Sequence, residues 1–123
     1  MARLWLLLSA CAGFSGVALG AFAAHGLKSR LTPDYLAVFQ TGAHYQLLHA
    51  LALFGVALLA LRAPGRPVNL AGGLFALGIL LFSGSLYALT LSGIGALGMV
   101  TPFGGLAFLG GWLCLGLAAW RLT

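Results

Sequence analysis

Four long runs of apolar residues make up most of the chain, and short polar segments separate them. About 20 helical residues cross the roughly 30 Å hydrocarbon core of a bilayer. No run alternates with the two-residue period of a β-strand, so each run predicts a transmembrane helix. The pattern predicts an all-α membrane protein, in which a single domain of residues 1–123 forms a compact four-helix bundle. The predicted spans cover residues 4–24, 33–61, 69–91 and 102–120.

Two Thr-Pro pairs, Thr32-Pro33 and Thr101-Pro102, mark helix starts. The threonine hydroxyl can accept a hydrogen bond from an unpaired amide of the first turn, and proline has no amide that needs a partner. Each pair therefore predicts an N-cap followed by the first helical residue. Asn69 is expected to cap the third helix in the same way.

The two halves of the chain share landmarks that indicate an internal repeat. Phe14-Ser15-Gly16 in the first run recurs as Phe82-Ser83-Gly84 in the third, and a Thr-Pro pair follows each motif. Because two helices return the chain to its starting side, two such units share one orientation. The fold prediction therefore includes two parallel αα-hairpin repeats, related by an axis along the membrane normal.

Composition excludes a water-soluble domain. Hydrophobic residues make up 62 % of the chain and charged residues 6 %, whereas soluble domains carry about 25 % charged residues. The net charge is +5, but the basic residues punctuate the apolar runs instead of clustering on one face, as nucleic-acid binding requires. The predicted partner is therefore the lipid bilayer, and no nucleic acid is expected.

The distribution of basic residues predicts the orientation in the membrane. Four arginines lie on the side that holds both termini, whereas the opposite side carries Lys28 and Arg30, partly balanced by Asp34. Short cytoplasmic segments are enriched in Lys and Arg, so both termini are predicted to be cytoplasmic. The four arginines are Arg3, Arg62, Arg66 and Arg121.

Glycine is abundant, with 19 residues, and three of them form a stripe on the first helix. These are Gly13, Gly16 and Gly20. Lipid gives helices no hydrophobic reason to associate, so small residues that allow close backbone approach favour packing. The stripe predicts glycine-rich packing inside the bundle; the alternative is a contact with a second copy or with another membrane protein.

The polar residues inside the spans are the only candidates for chemistry. Tyr45, Gln46 and His49 share one face of the second helix, and Ser83 and Tyr87 share one face of the third. Polar groups are costly when they face lipid, so these faces are expected to meet in a polar bundle core. The core either fixes helix register or lines a ligand or ion path.

The three histidines do not have the spacing of a metal site. His44 and His49 are five residues apart, whereas paired helical ligands recur at four. His25 ends the first helix, where Gly26 is expected to form a C-terminal cap. The one acidic residue, Asp34, is in the first turn of the second helix, which is expected to lie at the interface, so no carboxylate lies in the apolar part of a span. Cys11 and Cys114 have no CxxC partner. The sequence therefore predicts no metal, no cofactor and no catalytic residue.

The loop from Ser92 to Thr101 is uncharged and rich in glycine and apolar residues. Apolar side chains are unfavourable in water, and free backbone groups are unfavourable in lipid. The loop is therefore expected to be compact, to insert partly at the interface, and to bury its apolar residues against the helix ends.

Four motifs resemble those of the YgdD-like family of small bacterial inner-membrane proteins, a family whose function is unknown. The first resembles a GAFGAHGL-type signature that includes His25 and Gly26, with Ala23 where that signature often has glycine. The second includes His44. The resemblance covers nearly the whole chain; it implies a four-span protein of the bacterial inner (plasma) membrane and supplies no active site. The motifs are Gly20–Lys28, Thr41–Gln46 with His49–Leu51, Phe82–Tyr87 and Thr101–Gly105.

Three functional hypotheses follow. The leading hypothesis is a non-enzymatic structural or accessory membrane factor. The alternative is a small oligomeric transporter or channel subunit, with a polar path near His49, Gln46 and Tyr87. A quinone- or haem-binding protein is the third, and a visible absorption spectrum would reveal it.

Overall fold

The computed structural model describes residues 1–123 and contains four long helices and no strand. All four are long and apolar enough to cross a membrane, which confirms the predicted fold class. The helices are α1 (Ala2–His25), α2 (Pro33–Arg62), α3 (Arg66–Ser92) and α4 (Thr101–Trp120), with a 3₁₀ turn (Gly95–Met99) before α4.

The prediction for the start of α3 was wrong. The helix begins at Arg66 rather than at residue 69, because Pro67 occupies the first turn, where its missing amide leaves no partner unsatisfied. Asn69 consequently lies inside the helix and caps nothing. Its side-chain oxygen instead accepts a 3.2 Å hydrogen bond from the indole of Trp5 on α1.

The two Thr-Pro pairs behave differently. Thr32 is an N-cap: its hydroxyl accepts a 3.2 Å hydrogen bond from the Tyr35 amide, and Pro33 is the first helical residue. The N-cap prediction for Thr101 was wrong, because Val100 already has right-handed helical angles (φ −80°, ψ −31°) and the chain enters α4 directly from the 3₁₀ turn. Thr101 is therefore the first helical residue and Pro102 the second, and the Thr101 hydroxyl pairs with that of Ser85 at 2.5 Å.

Packing follows the chain order. α1 packs along α2, α3 packs along α4, and α2 packs against α3. Two buried apolar clusters lie near opposite ends of the bundle, the smaller one formed by Ala23, Leu27 and Phe39. The larger cluster occupies the end that holds the termini and consists of Trp5, Leu53, Val56, Ala57, Ala60, Val68, Ala71, Phe75, Phe108 and Ala118.

α3 contains a π-helical turn, Ile79–Ser83, in which the Gly84 amide bonds to the Ile79 carbonyl. This turn faces α4 at Gly104. A Cβ atom at Gly104 would lie 2.7 Å from both Cα and Cβ of Phe82, so only glycine permits this backbone contact. π turns of this kind interrupt the regular register of a helix.

The predicted glycine stripe on α1 is only partly used for packing. A Cβ atom at Gly16 would lie 2.8 Å from the Leu47 side chain, whereas nothing lies within 4 Å of one built at Gly13 or Gly20. The three glycines share one face of α1, but of these only Gly16 lies directly beneath a side chain of α2, and Gly13 borders a hollow between the two helices. Gly13 and Gly20 therefore leave open space on the surface.

The repeat landmarks lie in unlike surroundings. Phe14 is 81 % exposed, whereas Phe82 packs between Tyr45 and Phe108 with ring centroids 4.8 and 5.5 Å apart. α1 also lacks the π turn of α3. The superposition of the two halves stays a prediction.

The loop before α4 is compact, but its expected burial against the helix ends was wrong for most side chains. Gly93, with a left-handed φ of 76°, ends α3, and the 3₁₀ turn follows. Ile94 and Met99 are exposed and Leu97 is half-buried. The 3₁₀ turn has only one side that faces the bundle, and Leu97 lies on that side.

Candidate functional site

Gln46 is the centre of a hydrogen-bond network that joins three helices. Its side chain is 4 % exposed. The amide nitrogen donates to the Ala12 carbonyl at 3.0 Å and to the Ser15 hydroxyl at 2.7 Å, both on α1. The amide oxygen accepts a 2.7 Å bond from the Tyr87 hydroxyl on α3. The Ser15 hydroxyl donates a 2.8 Å hydrogen bond to the Cys11 carbonyl, so every donor in the network has an acceptor.

His49 links α2 to α4 as a neutral imidazole. An indole N–H is a donor only, so Trp112, whose Nε1 lies 3.1 Å from Nε2 of His49, must donate to that nitrogen. The ring proton is therefore on Nδ1, which donates to the Tyr45 carbonyl at 2.8 Å. Both ring nitrogens are occupied, and the imidazole has no free lone pair for a metal or a proton.

Aromatic rings enclose His49. The Phe108 ring stacks on the imidazole at a centroid distance of 3.6 Å and an interplanar angle of 10°, and Phe75 and Trp112 lie at 5.5 and 5.8 Å. His49 is 4 % exposed. This packing fixes the ring plane, which keeps Nε2 directed at Trp112.

Serine hydroxyls add further bonds between helices. Ser83, which is fully buried, donates to the Gly42 carbonyl of α2 at 2.7 Å. Ser9 of α1 donates to the Ala50 carbonyl of α2 at 2.8 Å. These bonds satisfy polar groups that lipid cannot satisfy, and they connect neighbouring backbones.

The five residues predicted to form the polar core are not all buried. Gln46, His49 and Ser83 are buried and Tyr87 is half-buried, so these four lie in the bundle interior. The prediction for Tyr45 was wrong: its side chain is 39 % exposed. Its carbonyl takes part in the hydrogen bonds of the core, whereas its ring packs against Phe82 at the edge of the bundle.

Three further residues of the family motifs, His44, His25 and Gly26, lie outside the polar core. His44 is exposed on the outer face of α2, and His25 is exposed at the end of α1. No group of three His, Cys, Asp or Glu side chains is close enough to hold a metal ion. Gly26 ends α1 with right-handed angles (φ −80°), and a Cβ atom there would lie 2.6 Å from the Phe22 ring, so a larger residue would require that ring to move.

Sequence reasoning missed Ser15 and Trp112 as hydrogen-bond partners of the core residues Gln46 and His49. Trp112 carried a usable signal, because an indole N–H deep in an apolar span needs an acceptor. Ser15 lies in the repeated Phe-Ser-Gly motif, but nothing in the sequence indicates that its partner is Gln46.

Two surface grooves reach the polar core. One, of about 370 Å³ between α1 and α3, has Gln46, Ser15 and Tyr87 among its lining residues. The other, of about 540 Å³ between α2 and α4, is lined in part by Tyr45, His49 and Trp112. Tyr45 and Trp112 are exposed at the bundle surface, so the second groove opens sideways towards lipid.

The four apolar helices and their paired polar interior define a multi-pass α-helical membrane protein. A family model described as "Protein of unknown function (DUF423)" matches residues 19–105. The chain belongs to this family, and its relatives are bacterial membrane proteins.

Three relatives illustrate the similarity. The chain is 45 % identical to the UPF0382 membrane protein YwdK of Bacillus subtilis, over 95 % of this chain and 96 % of the relative. It is 44 % identical to a UPF0382 membrane protein of Haemophilus influenzae, over 98 % and 97 %. It is 42 % identical to the UPF0382 inner membrane protein YgdD of Escherichia coli, over 98 % and 92 %. No solved structure matches the chain significantly.

Proposed function

We propose that this protein is a non-enzymatic structural or accessory factor of the bacterial inner membrane, with both termini in the cytoplasm. The observation that carries the proposal is the use of the intramembrane polar groups. Gln46 and His49 use their hydrogen-bonding groups for contacts inside the bundle, and four of these contacts are to other helices, at Ala12, Ser15, Tyr87 and Trp112.

This arrangement supports a structural role over a transport path. A path for ions or polar solutes needs groups that exchange partners with the passing solute. In the network around Gln46 every donor already has an acceptor, and His49 is stacked and paired on both nitrogens. The polar core is therefore best suited to holding the helices in a fixed register.

The proposed orientation rests on the basic residues. Arg3, Arg62, Arg66 and Arg121 are exposed at the end of the bundle that holds both termini. Lys28 and Arg30 are exposed at the other end, together with Asp34. The excess of arginine favours the cytoplasm for the end with the termini. The name of the Escherichia coli relative, an inner membrane protein, supports the choice of membrane.

Two measurements on one preparation test the role. The full chain is captured from its native membrane with lipids retained, and the same chain is reconstituted into vesicles for proton and potassium flux. We expect one membrane protein to co-purify at a constant ratio, with reciprocal capture, and flux equal to that of empty vesicles.

A flux above that of empty vesicles would contradict the proposal if Gln46→Leu or His49→Leu abolished it. The result would then favour the transporter or channel subunit. Gln40→Leu is the matched control, since Gln40 is an exposed glutamine on the same helix.

A further inference from the structure

The outer face of the α1–α2 pair carries two successive hollows. The first, of about 290 Å³, lies at the end that holds the termini and is lined by Ala2, Arg3, Leu6, Leu7, Ala57, Leu58 and Leu61. The second, of about 560 Å³, lies deeper and is lined by Ser9, Gly13, Val17, Leu47, Ala50, Leu51 and Phe54. At 100° per residue, the lining positions of both hollows fall on the same side of each helix. We refer to the two together as the α1–α2 groove.

The α1–α2 groove has the length and surface of an acyl-chain site. From Arg3 to Val17 it extends over roughly 21 Å at 1.5 Å per residue, most of the way across the hydrocarbon core. Its walls are almost entirely apolar, and the Ser9 hydroxyl is already bonded to the Ala50 carbonyl. Nothing lies within 4 Å of a Cβ atom built at Gly13, so the groove is open at its middle.

Positive charge lies at the head of this groove. Arg3 lines it directly. Arg62 follows Leu58 by four residues and so lies on the same face of α2. The single acidic residue of the chain, Asp34, is at the opposite end of the bundle. No carboxylate side chain at this end therefore competes for the arginines, and an anionic phosphate is a complementary group.

We propose that the α1–α2 groove binds one anionic phospholipid, with its phosphate on Arg3 and an acyl chain along Leu6, Gly13 and Val17. The site rests on the proposed accessory role and gives that role a partner, a lipid. A second copy of the chain is a poorer occupant. Symmetric pairing about the membrane normal would bring Arg3 against its own counterpart at the same depth, which places like charges together.

The test is native mass spectrometry of the full chain taken from vesicles of equimolar phosphatidylglycerol and phosphatidylcholine with identical acyl chains. We expect wild-type protein to retain phosphatidylglycerol preferentially. Arg3→Ala should lower the ratio of retained phosphatidylglycerol to phosphatidylcholine by up to roughly fivefold, the factor of one exposed ion pair. Arg3→Lys should keep most of the preference, and Arg121→Ala, at the same end but outside the groove, should keep all of it.

A second variant tests the acyl-chain part of the site. Gly13→Leu should reduce retention of both lipids, whereas Gly116→Leu should not, although Gly116 is an equally open glycine on α4. An unchanged lipid ratio in Arg3→Ala would overturn the site, as would a Gly13→Leu variant that loses a dimer and keeps its lipid. Flux that Gln46→Leu or His49→Leu abolishes would instead overturn the proposed function and would leave the lipid ratio unchanged.

Discussion

Trp112 of α4 donates its indole N–H to Nε2 of His49 on α2 across 3.1 Å. Because the donor has no lone pair to offer, this bond determines the tautomer of His49 and directs its other nitrogen to the Tyr45 carbonyl. One contact therefore fixes the protonation pattern of a buried imidazole and joins two helices that otherwise approach mainly through aromatic side chains.

The variant Trp112→Phe should destabilise the bundle by about 0.6 kcal/mol and at most about 1.7 kcal/mol, the range of hydrogen bonds inside membrane proteins. It keeps an aromatic ring and removes the donor to His49. Thermal unfolding in detergent measures the effect. Trp120→Phe is the control, because Trp120 is 87 % exposed. Equal stability of the two variants would show that the bond to His49 contributes nothing.

Nitrogen-15 NMR of the wild-type protein tests the tautomer itself. We expect the His49 resonance of a neutral ring protonated on Nδ1, and a shift in that resonance when Trp112 is replaced by phenylalanine. A ring protonated on Nε2 would be incompatible with donation from Trp112.

Gly104→Ala should be strongly destabilising. The new methyl group would lie 2.7 Å from Cα of Phe82, and backbone cannot move aside as a flexible side chain can. Forced contacts in packed interiors typically cost about 1–3 kcal/mol. Gly116→Ala is the matched substitution on the same helix, where nothing lies within 4 Å, and it should be neutral or slightly stabilising because alanine favours helix over glycine. Similar unfolding temperatures for both variants would argue against the close contact between α3 and α4.

Reporter fusions at the C-terminus, after Thr123, should report a cytoplasmic location. Removing the charge bias tests the reason: replacing Arg62 and Arg66 with alanine leaves two basic side chains at each end and should therefore produce a mixed orientation. A periplasmic C-terminus in the unaltered protein would contradict the proposed orientation.

The helices could be predicted from the sequence because their signals are local. Four apolar runs of membrane-spanning length leave helix as the only structure that satisfies the backbone in lipid. Thr32-Pro33 is likewise a local signal, and it marks the start of α2. Thr101-Pro102 carries the same residues, yet the conformation of Val100 before it decides that no cap forms.

The partners in the polar core could be predicted only in part, because they depend on how the helices are rotated against one another. The positions of Gln46 and His49 on one face of α2 followed from helical spacing, but the pairing of Gln46 with Ser15 required the packing of α1. The π turn at Ile79–Ser83 has no sequence signature of its own, and it shifts the register of the second half of α3. Tyr45 lies at the boundary of the buried face, where periodicity cannot distinguish inside from outside.

The central claim is that the intramembrane polar residues hold the bundle together, and a double-mutant cycle on Gln46 and Tyr87 tests it most directly. The free energy of unfolding in bicelles is measured for the wild type, Gln46→Leu, Tyr87→Phe and the double variant. The 2.7 Å bond between the Tyr87 hydroxyl and the Gln46 amide oxygen predicts a favourable coupling energy of about 0.6 kcal/mol, rising to about 1.7 kcal/mol at most. Strictly additive effects, with no coupling energy between the two residues, would contradict the account.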